Sequence, residues 1–245
     1  MENKNYPCFD IILPAELNSV ARQKAIEENA ANASPFEAAA LKSKLWQPGR
    51  TLTVCFLDGN PEVQAKVEHY ARQWEQYANI KFQFIDGDDA VIRISFNYDG
   101  SWSALGTDAL VEKYFPKSEP TMNYGWLTPD SEEDEYSSVV LHEFGHALGL
   151  IHEHTSPVNG IQWNKEAVYA SLSGPPNRWD KETIDFNMFE RYTTTQTQFT
   201  EFDPHSIMLY SFPKEWTLNG MSFPVNSVLS EKDKKFIKAR YPKTT

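Results

Sequence analysis

One stretch constrains this chain more than any other: His142-Glu143-Phe144-Gly145-His146-Ala147-Leu148-Gly149-Leu150-Ile151-His152, in the pattern H-E-x-x-H-x-x-G-x-x-H. On a helix, residues four apart leave the same face one turn apart, so His142 and His146 project their imidazoles together. Glycine accepts the left-handed backbone that ends helices, so Gly149 is expected to turn the chain and return His152 toward the first pair. A catalytic zinc takes three protein ligands and keeps a further position for water. The spacing therefore predicts His142, His146 and His152 as ligands of one catalytic Zn2+. Glu143 lies beside His142, placed to take a proton from the metal's water. Leu141, Phe144 and Leu148 form an apolar stripe that seats the helix in a core. The plain alternative is an amphipathic helix with satisfied core histidines. Half of the chain's six histidines fall in this stretch at ligand spacing, which an ordinary core helix would not produce. A structural zinc site is disfavoured too, because such sites are closed by four ligands and favour cysteine. This chain has two cysteines, Cys8 and Cys55, far apart.

The stretch resembles the zinc signature of the metzincin proteases. His152 is followed by Glu153, which is similar to the astacin family; other families of the clan usually carry Pro, Ser or Asp there. A second segment agrees. Ser206-Ile207-Met208-Leu209-Tyr210 resembles the astacin Met-turn, with Leu209 in place of the usual His. The resemblance runs from about Arg50 to the C-terminus. It implies an α/β zincin fold: a twisted, mostly parallel sheet with an edge strand over the cleft, a long zinc-binding helix, and a mainly irregular and helical C-terminal lobe. It implies a zinc-dependent endopeptidase with Glu143 as general base and acid. It also implies Met208 as the apolar floor under the metal, and Tyr210 as a catalytic group and switchable metal ligand. Gly149 and Glu153 are then structural at the site. In metzincins the strand before the zinc helix is the sheet edge that binds substrate by strand addition, which points to residues 121–127. The rival from another class is a binding module that keeps the zinc fold without activity. The intact Glu143 speaks against it, since that residue has no work in a merely structural site.

Composition sets the outer limits. A chain of 245 residues fits one large domain or two closely packed lobes, and 40% apolar with 13% aromatic residues suffices for a real core. A net charge of −11 argues against nucleic acid or an anionic membrane as the primary partner. No apolar run approaches the roughly 18 residues of a membrane span. The first residues lack a basic segment followed by an apolar one, so no signal peptide is read. Residence in the cytoplasm and export by another route are both left open. The expected partner is a protein or peptide substrate, and a monomer is expected.

In chain order, residues 1–48 read as an N-terminal extension and 49–245 as the catalytic domain, with an upper lobe at 49–152 and a lower lobe at 153–245. Helical spacing covers 14–29, and Ser34-Pro35-Phe36-Glu37 opens a second helix ending near Trp46. Strands are expected at 51–57, 80–85, 90–96 and 121–127, and helices at 61–78, 164–172, 180–192 and 230–241. Residues 99–117 read as loop. In the extension, Cys8 and Asp10 are each ligand types that a metzincin pro-segment places on the zinc. They stand as candidate latency ligands against the plainer expectation that the tail packs on the outside of the domain.

Overall fold

The computed structural model describes residues 8–33, 44–87, 89–190 and 201–243. Its frame is a five-stranded sheet of β1 (Thr51–Phe56), β2 (Lys81–Phe84), β3 (Ile92–Ser95), β4 (Ser101–Ser103) and β5 (Met122–Tyr124). Their spatial order is β2-β1-β3-β5-β4. All neighbours are parallel except β4, which runs antiparallel to β5 with Trp102 opposite Asn123. This is the mostly parallel sheet expected.

One detail of that expectation is corrected. The edge strand is β4, not the 121–127 segment, because β5 lies between β3 and β4. Ser101-Trp102-Ser103 reads as loop in the sequence because three residues are too few to show a strand's alternation. Burial hides it further, since all three side chains are buried and no polar face marks the edge.

Parallel strands need a crossover, and α2 (Pro61–Ala71) supplies it between β1 and β2. Asn60 caps this helix by accepting from the Glu62 N–H at 2.8 Å, with Pro61 at the first helical position. The expected continuation to residue 78 tightens into a 3-10 turn over Arg72–Gln76. The long helix α3 (Glu133–Ala147) packs against α2 and β4. From Val139 to Ala147 it is buried on every face, histidines included, so it crosses the core rather than lining it. The Trp74 indole N–H donates to the Leu141 carbonyl at 3.1 Å and ties α3 to the crossover.

Helix α1 (Asn18–Glu28) carries Ala21 into the same core, beside Leu17 of the 3-10 turn that precedes it. Most of the second expected N-terminal helix lies outside the described residues; Lys44 to Pro48 is irregular and Trp46 is fully buried. Beyond His152, α4 (Lys165–Leu172) and α5 (Lys181–Ile184) follow, α5 widening into a π turn over Asp185–Phe189. The Thr- and Gln-rich loop at 191–200 lies outside the described residues. Helix α6 (Glu231–Arg240) starts with a capping box of Ser230 and Asp233. A second apolar cluster, including Ile161, Leu172, Met188, Leu209 and Phe212, sits apart from the main core and packs Cys8 into it.

Candidate active site

The carboxyl end of α3 is shaped by one glycine. Gly149 adopts φ +86°. Its N–H bonds to the His146 carbonyl at 2.8 Å and that of Leu150 to the Gly145 carbonyl at 3.0 Å. These two bonds form a Schellman turn, which ends the helix and sends the chain back. His152 thereby returns to the face that His142 and His146 share.

The three Nε2 atoms converge: His146 to His152 is 3.0 Å, and His142 to each of the others is 3.1 Å. Each ring's Nδ1 is engaged elsewhere, with the Ile207 carbonyl at 2.7 Å for His142, the Leu150 carbonyl at 2.9 Å for His146, and the Asp10 carboxylate at 3.0 Å for His152. Carbonyls and carboxylates only accept, so every Nδ1 donates and every Nε2 offers a lone pair. Three lone pairs facing one another need a cation. Protons are the wrong one, because burial holds His142 down to about 4 and pushes His146 and His152 well below the usual range.

The fourth group at this point is Cys8. Its Sγ lies 2.9 Å from His142 Nε2, 3.1 Å from His152 Nε2 and 3.8 Å from His146 Nε2. The four donor atoms all fall within 4.8 Å of one another. Burial, followed by the Glu143 charge, pushes the Cys8 thiol well above its usual value, so without a cation this site holds a buried protonated thiol. Imidazole nitrogen and cysteine sulfur are the ligands zinc prefers, and one ion with bonds of about 2.0–2.3 Å fits among these atoms. The donor set therefore fits zinc. Packing of the tail on the outside of the domain does not describe this segment, because Cys8 is buried at the centre of the histidine cluster. Asp10, the other candidate of the extension, lies against His152 Nδ1 rather than at the point of convergence.

Glu143 is fully buried, and neither of its carboxylate oxygens has a hydrogen-bond partner among the described residues. Burial, with the Asp10 charge added, pushes its pKa well above the carboxylate range; the Cys8 thiol beside it works the other way. Leaving a buried polar group unpaired costs about 1–3 kcal/mol, so this carboxylate is held for something other than stability. Tyr210 donates its hydroxyl to the Cys8 carbonyl, and its ring lies between His152 and His154 at centroid distances of 4.2 and 4.4 Å. His154 donates from Nε2 to the Asn187 carbonyl, 2.7 Å away; His205 is exposed on the surface. Glu153 accepts from the Asp203 N–H at 2.8 Å, while its own N–H reaches the Met208 carbonyl at 2.9 Å.

Met208 lies under α3, and the reason it fits is Gly145. A Cβ on Gly145 would stand 2.3 Å from the Met208 sulfur. Sequence reading passed over Gly145, although a glycine inside a buried helix costs about 1 kcal/mol against Ala and usually marks close packing. It also passed over the Ile207 and Leu150 carbonyls that fix two of the imidazoles. Backbone groups carry no sequence signal.

A matrixin peptidase family model matches residues 57–161. A solved structure of myroilysin is similar at 46% identity, over 84% of this chain and 98% of its own, with a TM-score of 0.79. A second myroilysin crystal structure is 44% identical over 88% and 96% of the two chains, with a TM-score of 0.65. High choriolytic enzyme 1, a hatching enzyme zinc-protease from Oryzias latipes (medaka fish), shares the fold at 18% identity over 81% and 94%, with a TM-score of 0.51. No curated protein sequence matches significantly. By its 46% identity to myroilysin across nearly the whole of that structure, and by this donor set, the chain belongs to the metzincin zinc metalloproteases.

Proposed function

We propose that this zinc endopeptidase works through Glu143 and is held latent by Cys8. The observation that carries the reading is the convergence of three Nε2 lone pairs at 3.0–3.1 Å beside an unpaired, buried carboxylate. His142, His146 and His152 would hold the metal. Bound there, zinc would supply Lewis acidity, which acidifies water and polarises a peptide carbonyl.

The chain's own residues do the rest. Glu143 takes the proton of the attacking water on a carboxylate oxygen and passes it to the leaving amine nitrogen. Tyr210, freed from the Cys8 carbonyl, donates its hydroxyl toward the developing oxyanion. Met208 and Gly145 keep the histidine helix seated from below. Cys8 Sγ occupies the point where a substrate carbonyl or water would stand, so the chain is inactive until that segment leaves. Within the clan, Glu153 after His152 and Tyr210 after the Met-turn support the astacin side rather than the matrixin side. The segment that carries Cys8 then acts as an inhibitory pro-segment to the catalytic domain.

The test is cleavage of a peptide library by the full chain and by two variants. Cys8→Ala is expected to raise cleavage at least tenfold. Glu143→Ala in that background is expected to abolish cleavage while one zinc per chain is retained. Zinc loss or residual turnover in the Glu143 variant would remove the role given to it; unchanged activity in Cys8→Ala would remove the latency.

A further inference from the structure

Phe9 follows the thiol that closes the metal site, and its side chain has a place of its own. The ring lies against Gly100, where a Cβ would stand 2.6 Å from it. On one side is Trp102 of the edge strand β4, at a centroid distance of 6.4 Å; on the other is Trp179, at 6.5 Å and edge-on at 85°. The two tryptophans come from opposite sides of the cleft, one from the sheet edge and one from the segment between α4 and α5. The main chain is clamped in register. The Phe9 N–H donates to the Ser101 carbonyl at 3.2 Å, the Asp10 N–H to Asn187 Oδ1 at 2.8 Å, and the Cys8 carbonyl accepts from Tyr210. These are groups that any extended peptide presents.

We propose that the recess of Gly100, Trp102 and Trp179 is the principal specificity subsite of the protease, and that it takes an aromatic side chain of the substrate next to the scissile bond. The inference rests on the endopeptidase reading above, and Phe9 is the chain's own occupant of that subsite. Gly100 makes the room, since any side chain there fills the space of the ring. The two indoles, one tilted at 45° to the ring and one edge-on at 85°, suit a flat ring rather than a branched aliphatic group. Burial of the ring and its two aromatic contacts together favour Phe over Ala by on the order of ten- to a hundredfold.

The test uses the full chain with Cys8→Ser and Phe9→Ala, which vacates both the metal position and the recess. Library cleavage is expected to show Phe, Tyr or Trp enriched at one position within two residues of the cut. Adding Trp179→Ala is expected to lower the ratio of aromatic to alanine cleavage at that position at least fivefold, through KM. Gly100→Ala should do the same, but its φ of +73° strains any residue with a Cβ, so Trp179→Ala decides. A readout independent of turnover is the alkylation rate of Cys8 in the otherwise unaltered chain, followed by peptide mapping. Phe9→Ala is expected to raise it about tenfold and Phe9→Tyr to leave it near the parent rate. Cleavage without aromatic enrichment, or Cys8 alkylation indifferent to residue 9, overturns the subsite. Absence of cleavage at any peptide by the zinc-loaded variant overturns the endopeptidase reading and this inference with it.

Discussion

Gly145 shows how much one missing carbon decides. Its neighbours in the motif are legible because they recur at helical spacing, but its own role depends on Met208, far along the chain. A Cβ there meets the Met208 sulfur at 2.3 Å, and Met208 is itself buried. Overpacking a core costs about 1–3 kcal/mol, against which Gly→Ala in a helix returns about 1 kcal/mol. We therefore expect Gly145→Ala to lower stability by up to about 2 kcal/mol, read as a fall in Tm of a few degrees. Activity should fall more than stability, by tenfold or more in kcat, because the displaced thioether tilts the helix that carries two of the imidazoles. A variant with parental kcat would show that Met208 has other room. Cys8 is the converse case at this scale. The residue type was legible as a ligand, but nothing local distinguishes a cysteine that reaches a histidine cluster from one in a tail on the surface. Its position is set by a hydrogen bond from Phe9 to β4 and by packing in the lower cluster.

Elements differ in how far they can be read. Helices α2, α3 and α6 announce themselves through periodicity and caps, whereas β4 hides because it is three residues long and buried. Least legible is the link between α6 and the metal site. Asp233 closes the capping box of α6, yet its carboxylate also accepts from the Ser206 hydroxyl at 2.7 Å and the Ile207 N–H at 2.8 Å. The Ile207 carbonyl in turn receives His142 Nδ1. A C-terminal helix cap thus orients an imidazole through the Met-turn. Asp233→Ala loses a cap and charge-assisted hydrogen bonds, so we expect about 2–4 kcal/mol less stability in denaturant titration. Zinc affinity should weaken too, but by less than the roughly ten- to a hundredfold lost with a partner bonded directly to a metal ligand, because Asp233 acts one step further out through Ile207. Burial raises the Asp233 pKa although its hydrogen bonds oppose this. A carboxyl raised in the folded state binds its proton to higher pH than it does in the unfolded chain. Its contribution to stability therefore declines as pH rises from the ordinary Asp value through the raised one. Asp233→Asn should flatten that part of the stability profile, and a slope unchanged from the parent would assign it to other groups.

Across the whole molecule, the N-terminal extension is not one unit. Cys8 to Asp10 lie in the cleft, α1 lies on the upper core, and Trp46, within the stretch from Lys44 to Gly49, belongs to the core itself. Trp46 is fully buried, its indole N–H donates to the Ala147 carbonyl at 2.7 Å, and its backbone N–H meets the Tyr241 hydroxyl at 3.2 Å. That hydroxyl donates onward to the Leu148 carbonyl at 2.7 Å. The clasp holds the carbonyls just before the Gly149 turn, so a boundary drawn at residue 48 cuts through it. Loss of a buried Trp costs about 3–5 kcal/mol, close to the entire stability of a modest domain. A chain beginning at Lys44 should melt cooperatively by calorimetry, while one beginning at Pro48 should not; equal melting of the two would show the clasp to be dispensable. The measurement that tests the account most directly is zinc-edge X-ray absorption on the full chain. We predict a first shell of three imidazole nitrogens at about 2.0–2.1 Å and one sulfur at about 2.3 Å, with the sulfur lost in Cys8→Ala. A shell without sulfur in the parent chain, or with fewer than three imidazoles, would contradict it.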